Sequence, residues 1–154
     1  MIVMAIDTAH AACAVCVYDS LAGLNLAKCS EPMNQGQAER LSGIVDEVLV
    51  EAGLKLSGID RLAVCIGPGT FTGVRIGLAF ARGLALVLKI PVVGITTFEV
   101  LAASARQVGS ARDIWVVQDA RRSEVYIQGF DQTGHAISDA AAMALSDAQN
   151  LLAG

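Results

Sequence analysis

Small residues recur every four positions along one hydrophobic run, at Gly73, Gly77, Ala81 and Ala85. That spacing puts them on one face of a helix. The other faces carry Val74, Ile76, Leu78, Phe80, Leu84, Val87 and Leu88. Such a helix offers a smooth strip that another backbone can approach closely, and it must be covered on nearly every side. One sheet covers only one side. Coverage by neighbouring helices of the same domain and a helix-bundle contact with another protein both meet the requirement. The lead-in, Gly67-Pro68-Gly69-Thr70-Phe71-Thr72-Gly73, follows a strand-like run and opens the helix. Backbone N–H groups at such a start favour anions. It lacks the Gly-Lys-Ser/Thr of a P-loop. Its G-x-G-x-x-x-G spacing, with no acidic residue at Ile95-Thr96, does not fit a dinucleotide site. A tight turn is expected, with Pro68 setting φ, Gly69 taking φ > 0, and Thr70 or Thr72 capping the helix.

The rest of the chain reads as an α/β fold. Runs 2–6, 12–18 and 24–30 are β-type and form an antiparallel meander. Helical spacing over 37–52 puts Leu41, Ile44, Val45, Val48 and Leu49 on one stripe, and Gly53 is placed to end that helix. A strand over 61–66, the helix over 73–88 stopped by Pro91, a strand over 92–95 and a helix over 97–107 follow. The pattern then restarts, with strands at 114–118 and 124–130. An offset of 112 sets Ile2 beside Ile114, Asp7 beside Asp119, Val15 beside Ile127, Tyr18 beside Phe130 and Asp19 beside Asp131. A repeated strand-turn-strand unit is expected, with a first lobe over 1–105 and an incomplete second over 106–154 that begins near Ala111. The alanine-rich segment 139–154 reads as one helix.

Charge and composition narrow the function classes. The net charge of −4 gives no basic footprint for nucleic acid or for a membrane surface. The longest apolar stretch, Ile76 to Ile90, is broken by Arg82 and Lys89 and is expected to be too short to span a bilayer. With no secretion signal visible, a cytoplasmic location is expected. Cys13 and Cys16 have C-x-x-C spacing, but on a strand they point to opposite faces, so with Cys29 and Cys65 they read as buried cysteines of a reducing compartment. His10 and His135 stand apart, without carboxylates at ligand spacing, and are expected in exposed turns. The turn at Asp7-Thr8 has the position of a phosphate-binding turn, but neither 7–11 nor 119–122 contains the glycine that close approach to a phosphate requires.

Three stretches carry a family resemblance: Ala5-Ile6-Asp7-Thr8, Gly67 to Gly77, and Asp119-Ala120-Arg121-Arg122-Ser123-Glu124-Val125-Tyr126. The sequence from Met1 to at least Phe130 resembles the TsaB (YeaZ) family, bacterial subunits for threonylcarbamoyl-adenosine formation in tRNA, within the glycoprotease-like (M22) superfamily. The resemblance implies a duplicated actin-like (ASKHA, ribonuclease H-like) fold. It also implies a pseudo-enzyme that pairs with the catalytic homologue TsaD, is joined by the ATPase TsaE, and can form a homodimer through the same helices. The partner surface would lie on helices 37–52 and 73–88, at Leu41, Val45, Val48, Gly73, Gly77, Phe80, Ala81, Leu84 and Ala85. Asp7 and Thr8 would mark a degenerate phosphate turn. No tightly bound cofactor or metal is implied, and ATP or ADP would reach only the surface shared with partners. The catalytic sister family carries two metal-binding histidines four residues apart at the start of the first helix. Gln35-Gly36-Gln37-Ala38-Glu39-Arg40-Leu41 has none. Rival readings are an ATP-dependent kinase or hydrolase with Asp7 near a metal, and an M22-type peptidase. The family is longer, with a fuller second lobe.

Overall fold

The computed structural model describes residues 1–109 and 112–153; the expected start of the second lobe near Ala111 and the final Gly154 lie outside them. Two compact units divide at Thr97/Phe98 rather than at 105/106. The reason is local: Phe98 and Ala102, at the start of a helix assigned by sequence to the first lobe, pack with Val116 and Phe130 of the second unit.

In the first unit, β1 (Ile2–Asp7), β2 (Ala12–Asp19) and β3 (Leu24–Pro32) form the expected meander, and β4 (Arg61–Cys65) and β5 (Val92–Ile95) extend it in parallel. The strand order is β3-β2-β1-β4-β5. This is the α/β lobe that the resemblance implies. Helix α1 (Gln37–Glu51) crosses from β3 to β4, and α2 (Phe71–Leu88) from β4 to β5. Alternation along the strands aims Met4, Ile6, Val15, Val17, Leu62 and Val64 into one core with Leu41, Ile44, Val45 and Val48 of α1. α1 ends as anticipated. Gly53 takes φ 65°, and Leu54 N–H closes on the Leu49 carbonyl, the pattern of a Schellman cap.

Helix α2 corrects the reading of its smooth strip. Gly73, Gly77 and Ala81 are its buried residues, and they face the unit's own sheet. A Cβ on Gly77 would lie 2.6 Å from the Thr8 hydroxyl, and one on Gly73 would overlap the Thr8 carbonyl oxygen. The Thr8 hydroxyl donates to the Gly73 carbonyl across 2.7 Å. The small residues therefore let α2 sit on the end of β1; they are not open to a partner. Leu41, Val45 and Val48, also named for an interface, are core residues at 0–3% exposure. The lead-in turn differs too. Gly67, not Gly69, takes positive φ, and the Gly67–Pro68 bond is cis. Gly69 is needed for room, since a Cβ there would collide with Ala9. Thr70, not Thr72, caps the helix by accepting Gly73 N–H. By length and composition α2 could cross a membrane, contrary to expectation, yet here it lies docked along the sheet.

The second unit holds α3 (Thr97–Gln107) beyond its first residue, a sheet of β6 (Ile114–Arg121), β7 (Glu124–Phe130) and β8 (Ala141–Ala144), and α4 (Leu145–Ala153). The expected single helix over 139–154 is thus a strand followed by a shorter helix. Pairing of Ala141 to Ala144 with β7 overrides the helical preference of alanine. The repeat holds as strand-turn-strand but slips by one residue. Ile2 pairs with Asp19, whereas Ile114 pairs with Phe130, not Asp131, because an irregularity between Asp119 and Arg121 absorbs one residue. After β7, the Asp131 carboxylate accepts backbone N–H groups of Thr133, Gly134 and His135 and the Thr133 hydroxyl. These bonds lower its pKa to about 2.

Two predictions follow from these contacts. Gly73→Ala costs about 3 kcal/mol or more in urea unfolding, whereas Gly83→Ala, with open space at its Cβ, gains about 0.5–1 kcal/mol; equal effects would refute the close-approach account. In a carboxyl NMR titration Asp131 titrates near pH 2. Because its pKa is depressed on folding, its contribution is fully present above the ordinary carboxylate range and is lost as pH falls through about 2.

Candidate functional site

The ends of β1, β4 and β5 bring Asp7, Thr8, His10, Cys65 and Thr97 to the turn before α2. Thr97 anchors the group. Its hydroxyl donates to the Pro68 carbonyl at 2.7 Å and lies 3.3 Å from Cys65 Sγ and 3.4 Å from His10 Nε2, while its N–H donates to the Gly67 carbonyl. His10 is therefore half-buried against this turn rather than an exposed loop residue, as His135 is. Burial pushes the Cys65 thiol up, and the neighbouring Asp7 adds to that against the lowering effect of its bonds to Thr97 and Gly67. It stays a thiol near neutrality, not a nucleophile. Asp7 Oδ1 accepts Ala9 N–H at 2.8 Å. Thr8 is buried, with its hydroxyl spent on Gly73. The two residues expected at a degenerate phosphate turn thus close the turn onto α2.

A cavity of about 450 Å³ opens where α1 and α2 begin, lined by Asn34, Gln35, Gln37, Glu39, Thr70 and Thr72 among others. It takes in Gln35, Gly36, Gln37, Ala38 and Glu39, the start of the stretch compared above with the catalytic sister family. Glu39 is its one charged lining residue, and neither histidine nor cysteine lines it. Among the described residues, the one cluster with metal-ligand spacing is Cys29, Glu31 and Glu47. Arg40 already binds both carboxylates, donating to both oxygens of Glu31 and to Glu47. A cation there would have to displace a guanidinium.

The outward side of α2 is an uncovered apolar face among the described residues. Three of its 18 residues are buried. Phe71, Leu86 and Val87 are 70%, 80% and 76% exposed. Arg75 lies over the Phe71 ring, 3.6 Å from its centre, and Arg82 stands exposed on the same side. Of the expected interface residues, Phe80, Leu84 and Ala85 are half-buried and pack against the first unit's core. Phe71, Arg75, Ala79, Arg82 and Leu86, exposed on this helix, were not among the expected interface residues. Their 4, 4, 3, 4 spacing was available as a signal, but the glycine strip competed with it for the role of contact face.

The family sequence model described as "TsaD: tRNA N6-adenosine threonylcarbamoyltransferase" matches residues 31–154. The tRNA threonylcarbamoyladenosine biosynthesis protein TsaB of Escherichia coli K12 is 37% identical over 127 residues, 82% of this chain and 53% of that protein. Its Haemophilus influenzae counterpart is 35% identical over 123 residues, 80% of this chain and 51% of that protein. The chain therefore spans about half the length of these curated relatives. Among solved structures, YeaZ from Pseudomonas aeruginosa superposes with a TM-score of 0.84 at 33% identity, covering 93% of this chain and 67% of that one.

Removing the anchor hydroxyl should loosen the turn. Thr97→Val is expected to lower stability by about 1–2 kcal/mol and to speed labelling of Cys65 by a thiol reagent; an unchanged labelling rate would show that Thr97 does not hold this turn.

Proposed function

We propose a scaffold role for this chain, which belongs to the TsaB (YeaZ) family of tRNA threonylcarbamoyladenosine biosynthesis proteins. It acts as a non-catalytic cytoplasmic subunit of the assembly that forms N6-threonylcarbamoyl-adenosine in tRNA. It binds the catalytic TsaD-like homologue through the outward face of α2 and the adjoining face of α1. The observation that carries this reading is an 18-residue apolar helix with three buried residues and with Phe71, Leu86 and Val87 open to solvent. An apolar face of that kind marks a protein contact. The aromatic and arginine at its start are the residue types that dominate binding energy at interfaces. A TsaE-like ATPase joins the assembly, and ATP or ADP binds at the surface shared by the subunits rather than at Asp7 and Thr8. The structural use of Thr8 and Asp7 supports the non-catalytic part of the reading.

The interface is tested on residues that the fold does not need. Phe71→Asp with Leu86→Glu is expected to weaken co-purification with the TsaD-like relative by about a hundredfold, from truncation losses of roughly 1–2 kcal/mol at each hot spot, while melting is nearly unchanged. Retained association in a folded double variant would sink the proposal. Mg-ATP turnover by the isolated chain, lost in Asp7→Ala, would favour the kinase or hydrolase instead.

A further inference from the structure

The repeated strand-turn-strand unit shows what the outer edge of β6 lacks. In the first unit β1 stands inside its sheet, with β2 antiparallel on one side and β4 parallel on the other. In the second unit β6 has β7 antiparallel on one side, and among the described residues no strand pairs with its other side. The two strands match residue by residue through their partners. Val15 and Val17 of β2 fall beside Ile127 and Gly129 of β7 at the repeat offset of 112. Ile6 pairs with Val15 and Met4 with Val17; Val117 pairs with Ile127 and Trp115 with Gly129. Val117 and Trp115 therefore hold the places of Ile6 and Met4. Ile6 and Met4 are 2% and 0% exposed, yet Val117 and Trp115 are 41% and 37% exposed.

The difference lies in what covers them. Helix α4 packs through Ala148 on Val125, Ile127, Ala141 and Met143 of β7 and β8, as α1 covers β2 and β3. In the first unit a second helix, α2, follows β4 and closes over β1. A Cβ on its Gly77 would lie 3.9 Å from the Ile6 side chain and 3.5 Å from that of Val64 on β4. Among the described residues no strand-and-helix pair holds the corresponding place beside β6. The indole of Trp115 lies across Gly129 instead, beside Ile137, which is itself exposed. Open edges are usually blunted by charge, proline or shortness. β3 carries Lys28, Glu31 and Pro32, and the other two edge strands, β5 and β8, have four residues each. β6 has eight residues, with neither charge nor proline from Ile114 to Gln118.

We infer that β6 is an acceptor edge for a separate polypeptide. An extended apolar segment of that polypeptide adds parallel to β6, and the helix that follows the segment closes over Trp115 and Val117. A tight turn from β6 cannot supply a parallel strand. A lone extended peptide would pair with the edge but leave the indole open. The occupant that meets both demands is the portion of a TsaB polypeptide outside the match to this chain, which spans 53% and 51% of two such relatives. In such a repeat that portion supplies the counterpart of β4 and α2. The surface belongs to the second unit and shares no residue with the face of α2 assigned to the catalytic relative.

Trp115 is the chain's one tryptophan, so its emission reports this site. The probe is the portion of Escherichia coli TsaB outside the match, made separately with any tryptophan replaced by phenylalanine. Adding it is expected to shift the Trp115 emission to the blue, saturating at equimolar probe. Hydrogen exchange should slow at the β6 amides that face away from β7. Val117→Lys should weaken binding by about tenfold or more, because it puts a charge under the arriving helix. Val117→Thr keeps the β-branched shape suited to a strand and should weaken it less. Leu21→Lys, at an exposed turn of the first unit, should leave it unchanged. Exchange in the unaltered chain decides the matter even where a variant fails to fold. A probe that changes neither emission nor exchange overturns the inference. So does binding that leaves β6 unprotected, or binding that persists unweakened in a Val117→Lys chain of unchanged melting temperature.

Discussion

The hydrogen bond from the Thr8 hydroxyl to the Gly73 carbonyl sets where everything else in the first unit goes. For it to form, α2 must descend onto the end of β1 until no side chain fits between them, which is why Gly73 and Gly77 lack one. Close backbone approach needs little apolar side-chain bulk underneath, so the large residues of α2 are displaced to its flanks and outer side. One contact thus explains both the glycine pacing and the exposed Phe71, Leu86 and Val87. It also removes Thr8 from any chemistry at the turn, while Asp7 is held by Ala9 and Thr97 fastens the other side through Pro68.

Much of this was legible in the sequence, and the failures are instructive. Short apolar runs identified β1 and β4, alternation identified β2, and the stripe of Leu41, Ile44, Val45 and Val48 identified α1, because apolar patterning is a direct statement about burial. The direction of the smooth strip on α2 was not legible. Spacing shows that Gly73, Gly77 and Ala81 share a face, but not whether that face meets the chain's own sheet or another molecule; the answer lies in Thr8, 65 residues away in sequence. Segment 139–154 failed for a related reason. Alanine favours a helix locally, and Ala141 to Ala144 become a strand because β7 offers them a ladder.

The site shows the same division. That Asp7-Thr8 lacks glycine and that 35–41 lacks histidine could be read directly. That Arg40 neutralises both carboxylates of the Cys29, Glu31, Glu47 cluster, and that His10 reaches Thr97, depend on strands brought together by folding. The family likeness pointed to α1 and α2, and the structure places the open surface of α2 on outer positions rather than on the expected inner ones.

The exposed side of α2 makes concentration a structural variable. An apolar helix face left uncovered among the described residues is hidden whenever it meets a matching surface, and mass action decides how often that happens. Dilution strips the cover from Phe71, Leu86 and Val87, and crowding restores it. Under the proposed scaffold role, supply of the partner relative to this chain would set how much greasy surface stays open to unwanted sticking, and balanced production of the two would keep that surface covered.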